Sequence, residues 1–165
     1  MPNIRHELLI SASIASVYDA ITNQERLSQW WTPDTSASAV ENTVARFAFG
    51  PEYYKEMQIE KLEPFNLVRW ICKAGAKEWI GTTISFHLSS LETETLSLHA
   101  ELNDQMQQQE NGSNITLLAF CHDNWRGYTA MYAECNYTWG QFLRSLKLCC
   151  ETGKGRPWPN QHRVL

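Results

Sequence analysis

The residues that could do chemistry in this chain are few and far apart. The five histidines are His6, His87, His99, His122 and His162, and no two of them have the spacing of metal ligands. The chain contains no phosphate-binding glycine loop, no nucleophile elbow, no zinc-protease helix motif and no Cys-x-x-Cys pair. We therefore predict no metal site, no cofactor and no catalytic constellation.

His122 is the histidine with the best-defined chemical prospect. Alternation from Ile115 to His122 places Leu118, Phe120 and His122 on one face of a strand. If that face borders a pocket, His122 could anchor a polar group of a ligand or, alternatively, act as an acid or base. The remaining interpretation is a histidine that is hydrogen-bonded to the backbone at the end of its strand.

Aromatic side chains are unusually frequent, at 12% of residues with seven tryptophans. Each buried aromatic ring removes roughly 150–250 Å² from water, so a core or a pocket must be rich in rings. The residues that we predict to line a ligand pocket are Trp30, Trp31, Phe49, Trp70, Thr82, Phe86, Leu118, Phe120, His122, Tyr132, Trp139 and Phe142. Core packing alone would produce the same pattern, and that alternative stays open.

A series of short helices and strands must position these residues. The sequence predicts a strand over 4–11 and two short helices that begin after the caps Ser13 and Asn23. Strand patterns follow over 44–49, 53–62, 67–73, 79–88 and 115–122, separated by Gly, Pro or polar turns, which predicts an antiparallel meander. The alternation from Leu96 to Leu102 favours a further extended strand, although its Glu, Gln and Leu content also suits a helix.

The last element is the strongest prediction. From Tyr128 to Cys150, apolar residues recur at spacings of three and four, which indicates a helix of about 20 to 25 residues that ends at Gly153. A helix this long and aromatic must cover a broad apolar surface. We therefore predict an α+β helix-grip fold, in which a curved antiparallel sheet wraps around one long C-terminal helix.

Composition narrows the class of protein. The length of 165 residues suits one domain, and the net charge of −4 argues against nucleic acid or an anionic membrane as the main partner. We find no signal-peptide pattern and no apolar run of the length that spans a membrane. The five cysteines have no disulfide-framework spacing, so we expect reduced thiols in a cytoplasmic protein.

Four motifs occur in a fixed order along the chain. They are ISASIASVYDAITNQERLSQWWTP, then VRW with WIGTTISF, then TLLAFCHDNW, and finally WGQFLRSLKLCCETGKGRP. In this order they resemble the activator-of-Hsp90-ATPase-like domains of the START-like superfamily (SRPBCC, Bet v 1-like). The resemblance implies a single domain over 1–165 with two short helices after the first strand. The stretch over about 89–114 is longer than the usual turn, so we expect an insertion or an extended hairpin there.

The resemblance leaves three functions open. The first is binding of a small apolar or aromatic ligand in a cavity between the sheet and the C-terminal helix. The alternatives are a polyketide cyclase/dehydratase-like enzyme, which some START-like relatives are, and a chaperone-associated module that binds proteins through the 91–114 hairpin. We expect binding of a small apolar molecule rather than catalysis. We also consider a protein partner or a homodimer. The large eukaryotic activators have an additional N-terminal region, so their co-chaperone role is not transferred to this chain.

Overall fold

The structure is a computed structural model that describes residues 1–90, 100–107 and 114–164. Its strands are β1 (Ile4–Ile10), β2 (Asp34–Ser36), β3 (Val44–Ala48), β4 (Tyr54–Glu63), β5 (Leu67–Ala74), β6 (Thr83–Ser90) and β7 (Thr116–Asp123). Its helices are α1 (Ile14–Ala20), α2 (Gln24–Trp30), α3 (Ala100–Gln107) and α4 (Ala130–Thr152).

The strands form one antiparallel sheet in the order β1-β7-β6-β5-β4-β3-β2. Strands β2 to β6 pair in chain order as a meander. Strand β1 lies at the other edge of the sheet and pairs with β7, with Ile4 opposite His122. Two register shifts interrupt the ladder between β4 and β5, and shifts of this kind bend a strand and increase its twist. The predicted α+β helix-grip fold, with a curved antiparallel sheet and one long C-terminal helix, is confirmed.

Helices α1 and α2 begin after the predicted caps Ser13 and Asn23, and helix α4 ends at the predicted residue Gly153. The side-chain oxygens of Ser13, Asn23 and Thr129 each accept a hydrogen bond from the backbone N–H three residues later. Helix α4 runs for 23 residues and ends at Gly153, whose φ of +83° is the left-handed conformation that glycine adopts without strain. Among the described helices, none is both long enough and apolar enough to cross a membrane.

Helix α4 lies against the sheet through a layer of aromatic rings. We call this layer the aromatic core. Its members are Trp30, Trp31, Phe47, Trp70, Phe86, Phe120 and Trp139. Each is at most 2% exposed, and the rings contact one another in a continuous series of stacked, tilted and edge-on pairs. The two adjacent tryptophans at the end of α2 are therefore both interior residues.

Strand β6 begins four residues later than predicted. Residues 79–82 form a turn in which Gly81 has a φ of +87°, and the backbone N–H of Gly81 donates to the carbonyl of Cys72. This turn exposes Ile80 and buries Trp79, so Ile80 does not share the buried face of Ile84 and Phe86, as the alternation over 79–88 would require. The reason is that the alternating pattern does not show that a glycine in the left-handed conformation forms a turn before the strand begins.

The long connection between β6 and β7 contains a helix. Residues 100–107 are helical, so the extended strand expected to reach Leu102 is wrong for this part, and helix propensity is decisive there. The remainder of that predicted strand, with Leu96 and Leu98, lies outside the described residues.

The C-terminal tail after α4 folds back onto the helices. Ser145 Oγ donates to the carbonyl of Trp30 at 2.8 Å and accepts from the backbone N–H of Arg156 at 2.7 Å. The backbone N–H of Trp158 donates to the carbonyl of Trp31 at 2.8 Å. These bonds hold the tail against the end of α2.

Gly155 lets the tail approach this closely, and we predict that Gly155→Ala destabilises the protein. An added Cβ would lie 2.6 Å from the carbonyl oxygen of Gln29 and 2.9 Å from that of Ser145, both rigid backbone atoms. We expect a loss of about 1–3 kcal/mol in the free energy of unfolding, measured by chemical denaturation, as for other overpacked sites.

Gly127→Ala is the matched control, because an added Cβ there meets nothing within 4 Å. Its denaturation midpoint should stay at the wild-type value or rise slightly. Equal midpoints for the two variants would show that the tail does not pack as described.

Candidate functional site

His122 lies at the end of β7, is fully buried, and is hydrogen-bonded through both ring nitrogens. Trp139 Nε1–H donates to His122 Nδ1 at 3.1 Å, and indole nitrogen can only donate. His122 Nε2 therefore carries the proton and donates to Thr82 Oγ1 at 2.8 Å, and Thr82 Oγ1 donates to the carbonyl of Trp79 at 2.6 Å. This one-way chain holds the ring as a neutral tautomer.

Burial keeps this imidazole uncharged. Burial lowers the pKa of His122 to about 3, and the positive charge of Lys55 contributes in the same direction. The rings of Trp79 and Trp125 lie with centroids 4.6 and 4.7 Å from the imidazole. His122 thus connects the sheet, helix α4 and the turn at 79–82 as a neutral, fully bonded side chain.

Lys55 is the unusual ionisable group of the interior. Its side chain on β4 is only 7% exposed, and its ammonium lies among aromatic rings. The Nζ atom is 4.1 Å from the ring centroids of Phe49 and Trp79, 4.8 Å from that of Tyr53 and 5.8 Å from that of Trp31. Within the described residues, no hydrogen bond or salt bridge reaches Nζ.

The local backbone directs the side chain of Lys55 into the interior. Strand β4 alternates so that Lys55, Met57 and Ile59 are buried on the same face. The turn before it is closed by a hydrogen bond from the N–H of Phe49 to the carbonyl of Tyr53, which brings both rings beside Lys55.

The interior position makes the ammonium easier to deprotonate. Burial lowers the pKa of Lys55 to about 8, against the opposing influence of Cys135, Cys72 and Glu134. The same surroundings raise the pKa of Tyr53 to about 12 and that of Cys72 to about 11, again mainly through burial.

A cavity of about 300 Å³ opens beside Lys55, between the sheet and helix α4. We call it the side cavity. It is lined by Phe49, Tyr53, Lys55, Trp79, Met131, Glu134, Cys135, Thr138, Phe142, Trp158 and Gln161. Its walls thus come from the β3–β4 connection, the turn at 79–82, one face of α4 and the C-terminal tail.

The wall of the side cavity contains one polar contact and one polar atom without a partner in the described residues. Trp79 Nε1–H donates to Cys135 Sγ at 3.3 Å, which joins the turn to helix α4. The side-chain oxygen of Gln161 is buried and has no hydrogen-bond partner in the described part of the chain. With Lys55, the wall of the cavity therefore contains one cationic group and one buried, unsatisfied amide oxygen.

The twelve residues predicted to bind a ligand divide into four groups in the structure. Phe49 and Phe142 line the side cavity. Trp30, Trp31, Trp70, Phe86, Leu118, Phe120 and Trp139 are buried in the core, and Thr82 with His122 belongs to the hydrogen-bond chain. Tyr132 packs against Trp125, and its hydroxyl donates to the carbonyl of Asn3 at 3.1 Å.

The core itself offers little room. A void lined by Ile21, Phe47, Trp70 and neighbouring residues measures about 10 Å³, which is space for at most one water molecule. No group of three or more His, Cys, Asp or Glu side chains in the described ranges is arranged to hold a metal ion.

Sequence reasoning missed Lys55, Trp79 and Gln161 as site residues. A signal for Lys55 was available, because its position two and four residues before Met57 and Ile59 gives it their inward direction. Trp79 and Gln161 stand in non-repetitive segments, where no periodicity indicates which way a side chain points.

A protein-family model matches the chain over most of its length. The family model described as "Activator of Hsp90 ATPase homolog 1-like protein" matches residues 11–151. No curated protein matched the chain.

Solved structures share the fold. The Aha1 dimer from Colwellia psychrerythraea, determined in solution, is 34% identical; the match covers 94% of this chain and 100% of that one, with a TM-score of 0.75. The protein MLL2253 from Mesorhizobium loti is 13% identical, with coverage of 88% and 94% and a TM-score of 0.67. CalU16 from Micromonospora echinospora is 17% identical, with coverage of 88% and 72% and a TM-score of 0.60.

The buried neutral histidine predicts a pH dependence of stability. The native pKa of about 3 lies below the unfolded value of about 6.5, so below pH 6.5 the unfolded chain binds a proton that the native state does not. His122 should therefore lower the free energy of unfolding by about 2 kcal/mol between pH 7 and pH 5. Urea denaturation at the two pH values measures this difference.

His122→Gln is the comparison variant, since glutamine offers a donor and an acceptor but does not titrate in this range. Its overall stability should be lower, while its difference between pH 7 and pH 5 should be smaller than that of the wild type. An unchanged difference would mean that His122 is not the buried neutral group.

Proposed function

We propose that this chain, which belongs to the Activator of Hsp90 ATPase homolog 1-like family, binds a small molecule with an apolar or aromatic body in the side cavity. The family membership rests on the match over residues 11–151, which is most of the chain. Within the helix-grip fold of this family, the space between sheet and terminal helix is where a ligand would be enclosed.

The side cavity is the observation that carries the proposal. Its volume of about 300 Å³ is at the lower end of the range typical of small-molecule sites. Such sites are mostly apolar with a small number of placed polar groups, and the rings of Phe49, Trp79 and Phe142 beside Lys55 and Gln161 have this composition. A ligand there would lie on aromatic faces and meet two polar contacts.

The aromatic core is assigned a different role. Its tryptophans and phenylalanines are in direct contact with one another, so a ligand could enter only by separating them. Removing that packing would cost several kcal/mol per large side chain. Of the residues predicted from the sequence to bind a ligand, we therefore assign ligand contact to Phe49 and Phe142, and we assign a packing role to those that lie in the core.

An enzyme of the cyclase type is a weaker proposal for this chain. His122, the acid or base considered from the sequence, has both nitrogens bonded and does not line the side cavity. DynU16, described as a putative protein in the dynemicin biosynthetic locus, is 20% identical, which supports a shared fold and no shared reaction.

A neutral aromatic probe tests the proposal directly. N-phenyl-1-naphthylamine should bind in a saturable one-to-one manner, with a Kd on the order of 1–100 μM expected for a ligand of this size. Thr138→Trp places an indole in the wall of the side cavity and should weaken binding at least tenfold. Fluorescence titration of the probe measures both.

Asn136→Trp is the control, because this position is exposed on the same helix and lies outside the cavity wall. It should bind the probe like the wild type, and circular dichroism should show that both variants are folded. Saturable binding that is equal in the two variants would place the ligand elsewhere; no binding by the wild type would contradict the proposal itself.

Self-association is the second proposal, and the relative that is 34% identical supports it because it is a dimer in solution. Two large aromatic side chains are strongly exposed: Tyr128, just before helix α4, is 82% exposed, and Tyr137, within the helix, is 72% exposed. Aromatic residues are enriched at contacts between proteins. Sedimentation equilibrium should give twice the mass of 19.0 kDa at micromolar concentration, and Tyr137→Lys should shift the mass toward the monomer. A monomeric wild type at 100 μM would refute this.

A further inference from the structure

Within the part of the chain that the structure describes, the ammonium of Lys55 is a buried cation with no anionic partner. Its side chain is 7% exposed, and no carboxylate of the described residues lies within salt-bridge distance of Nζ. Buried cations in proteins are normally paired, because transfer from water into a poorly polarisable interior is unfavourable without a counter-charge. The ring faces around Nζ offset part of this cost, but a ring supplies no hydrogen-bond acceptor for the three N–H groups.

The one acidic residue of the cavity wall does not fill this role. Glu134 lines the side cavity from helix α4, yet its side chain is exposed and forms no salt bridge in the described part of the structure. The place next to Nζ inside the side cavity is therefore open to a group brought by a ligand.

We infer that the ligand carries an anionic group, such as a carboxylate or sulfonate, and that Lys55 binds this group directly inside the side cavity. This inference rests on the proposed binding function. The apolar or aromatic body of the ligand lies on the rings of Phe49, Trp79 and Phe142. The buried amide oxygen of Gln161 accepts a hydrogen bond from a hydroxyl or N–H group elsewhere on the ligand.

Lys55 has the features of a binding residue kept at the expense of stability. A side chain of the same length without charge would fill the same space with no charge to desolvate.

In protein freed of any bound molecule by unfolding and refolding, Lys55→Met should therefore raise the melting temperature at pH 7 by several degrees. The native pKa of Lys55, about 8, lies below its unfolded value of 10.5, so between these pH values the unfolded chain holds a proton that the native state has lost. The melting temperature of the wild type should therefore approach that of Lys55→Met as the pH rises from 8 to 10.5.

Two matched probes test the inference. The anionic 1-anilinonaphthalene-8-sulfonate and the neutral N-phenyl-1-naphthylamine share one aromatic skeleton and differ in the sulfonate. The wild type at pH 7 should bind the anionic probe at least tenfold more tightly than the neutral one. Lys55→Met should remove this preference, and it should leave the affinity for the neutral probe within about threefold.

Glu134→Gln is the second variant, and its expected effect has the opposite sign. Removing the negative charge from the wall should tighten binding of the anionic probe by about two- to fivefold relative to binding of the neutral probe. Because the residue is exposed, the variant should fold like the wild type.

The preference for the anion should also decrease as pH rises from 7 to 9.5. The ionisable groups that face Lys55 are Tyr53 before its own strand, Cys72 on β5, His122 on β7, and Glu134 with Cys135 on α4. Burial raises the pKa of Tyr53 to about 12 and that of Cys72 to about 11, raises that of Cys135, and lowers that of His122 to about 3, so Lys55 is the group expected to lose its charge across this range.

The outcomes separate the two claims. Equal binding of both probes by the wild type, or a preference for the anion that persists in Lys55→Met, would overturn the role of Lys55 and leave the side-cavity proposal standing. Saturable binding of neither probe would overturn both. Tighter anionic binding that is lost in Lys55→Met and strengthened in Glu134→Gln would support the inference.

Discussion

The indole of Trp139 holds the two layers of this molecule together. It packs against Trp31, which follows helix α2, and against Phe120 of strand β7, with ring centroids 5.3 and 4.5 Å away. Its N–H donates a hydrogen bond to His122 Nδ1. The ring contributes apolar burial, while the hydrogen bond gives a direction to the contact and avoids leaving a buried donor unsatisfied. Helix α4 forms one wall of the side cavity, so the position of that wall depends on how this contact holds the helix on the sheet.

The filled aromatic core determines where a ligand can be accommodated. Rings from both layers occupy the centre of the interface between the sheet and helix α4, and open space remains at one end. At that end the turn at 79–82 and the C-terminal tail complete the wall with Trp79, Trp158 and Gln161. The same aromatic chemistry therefore serves packing in the centre and, in our proposal, recognition at the end.

Lys55 breaks the rule that governs the rest of the interior. The neighbouring buried positions of β4 are apolar, and the buried histidine is neutral and fully bonded, whereas Lys55 is a cation without a counter-ion in the described structure. Departures from local consistency are concentrated at functional sites, because stability there is exchanged for binding. This contrast distinguishes Lys55 from His122, which the sequence alone made the more attractive residue.

Local pattern was enough to determine helices α1, α2 and α4, the caps Ser13 and Asn23, most strands and the helix-grip class, because the periods of two and 3.6 residues report which faces are buried. The same alternation also assigns Lys55 to the inside of β4. Tertiary structure decided the rest: the late start of β6 after the turn at Gly81, the hydrogen bonds of His122 with Trp139 and Thr82, and a cavity whose walls come from segments as distant as Phe49 and Gln161. Periodicity records burial and not the identity of the burying partner, so no pattern in this sequence distinguishes a tryptophan that fills the core from one that faces a ligand.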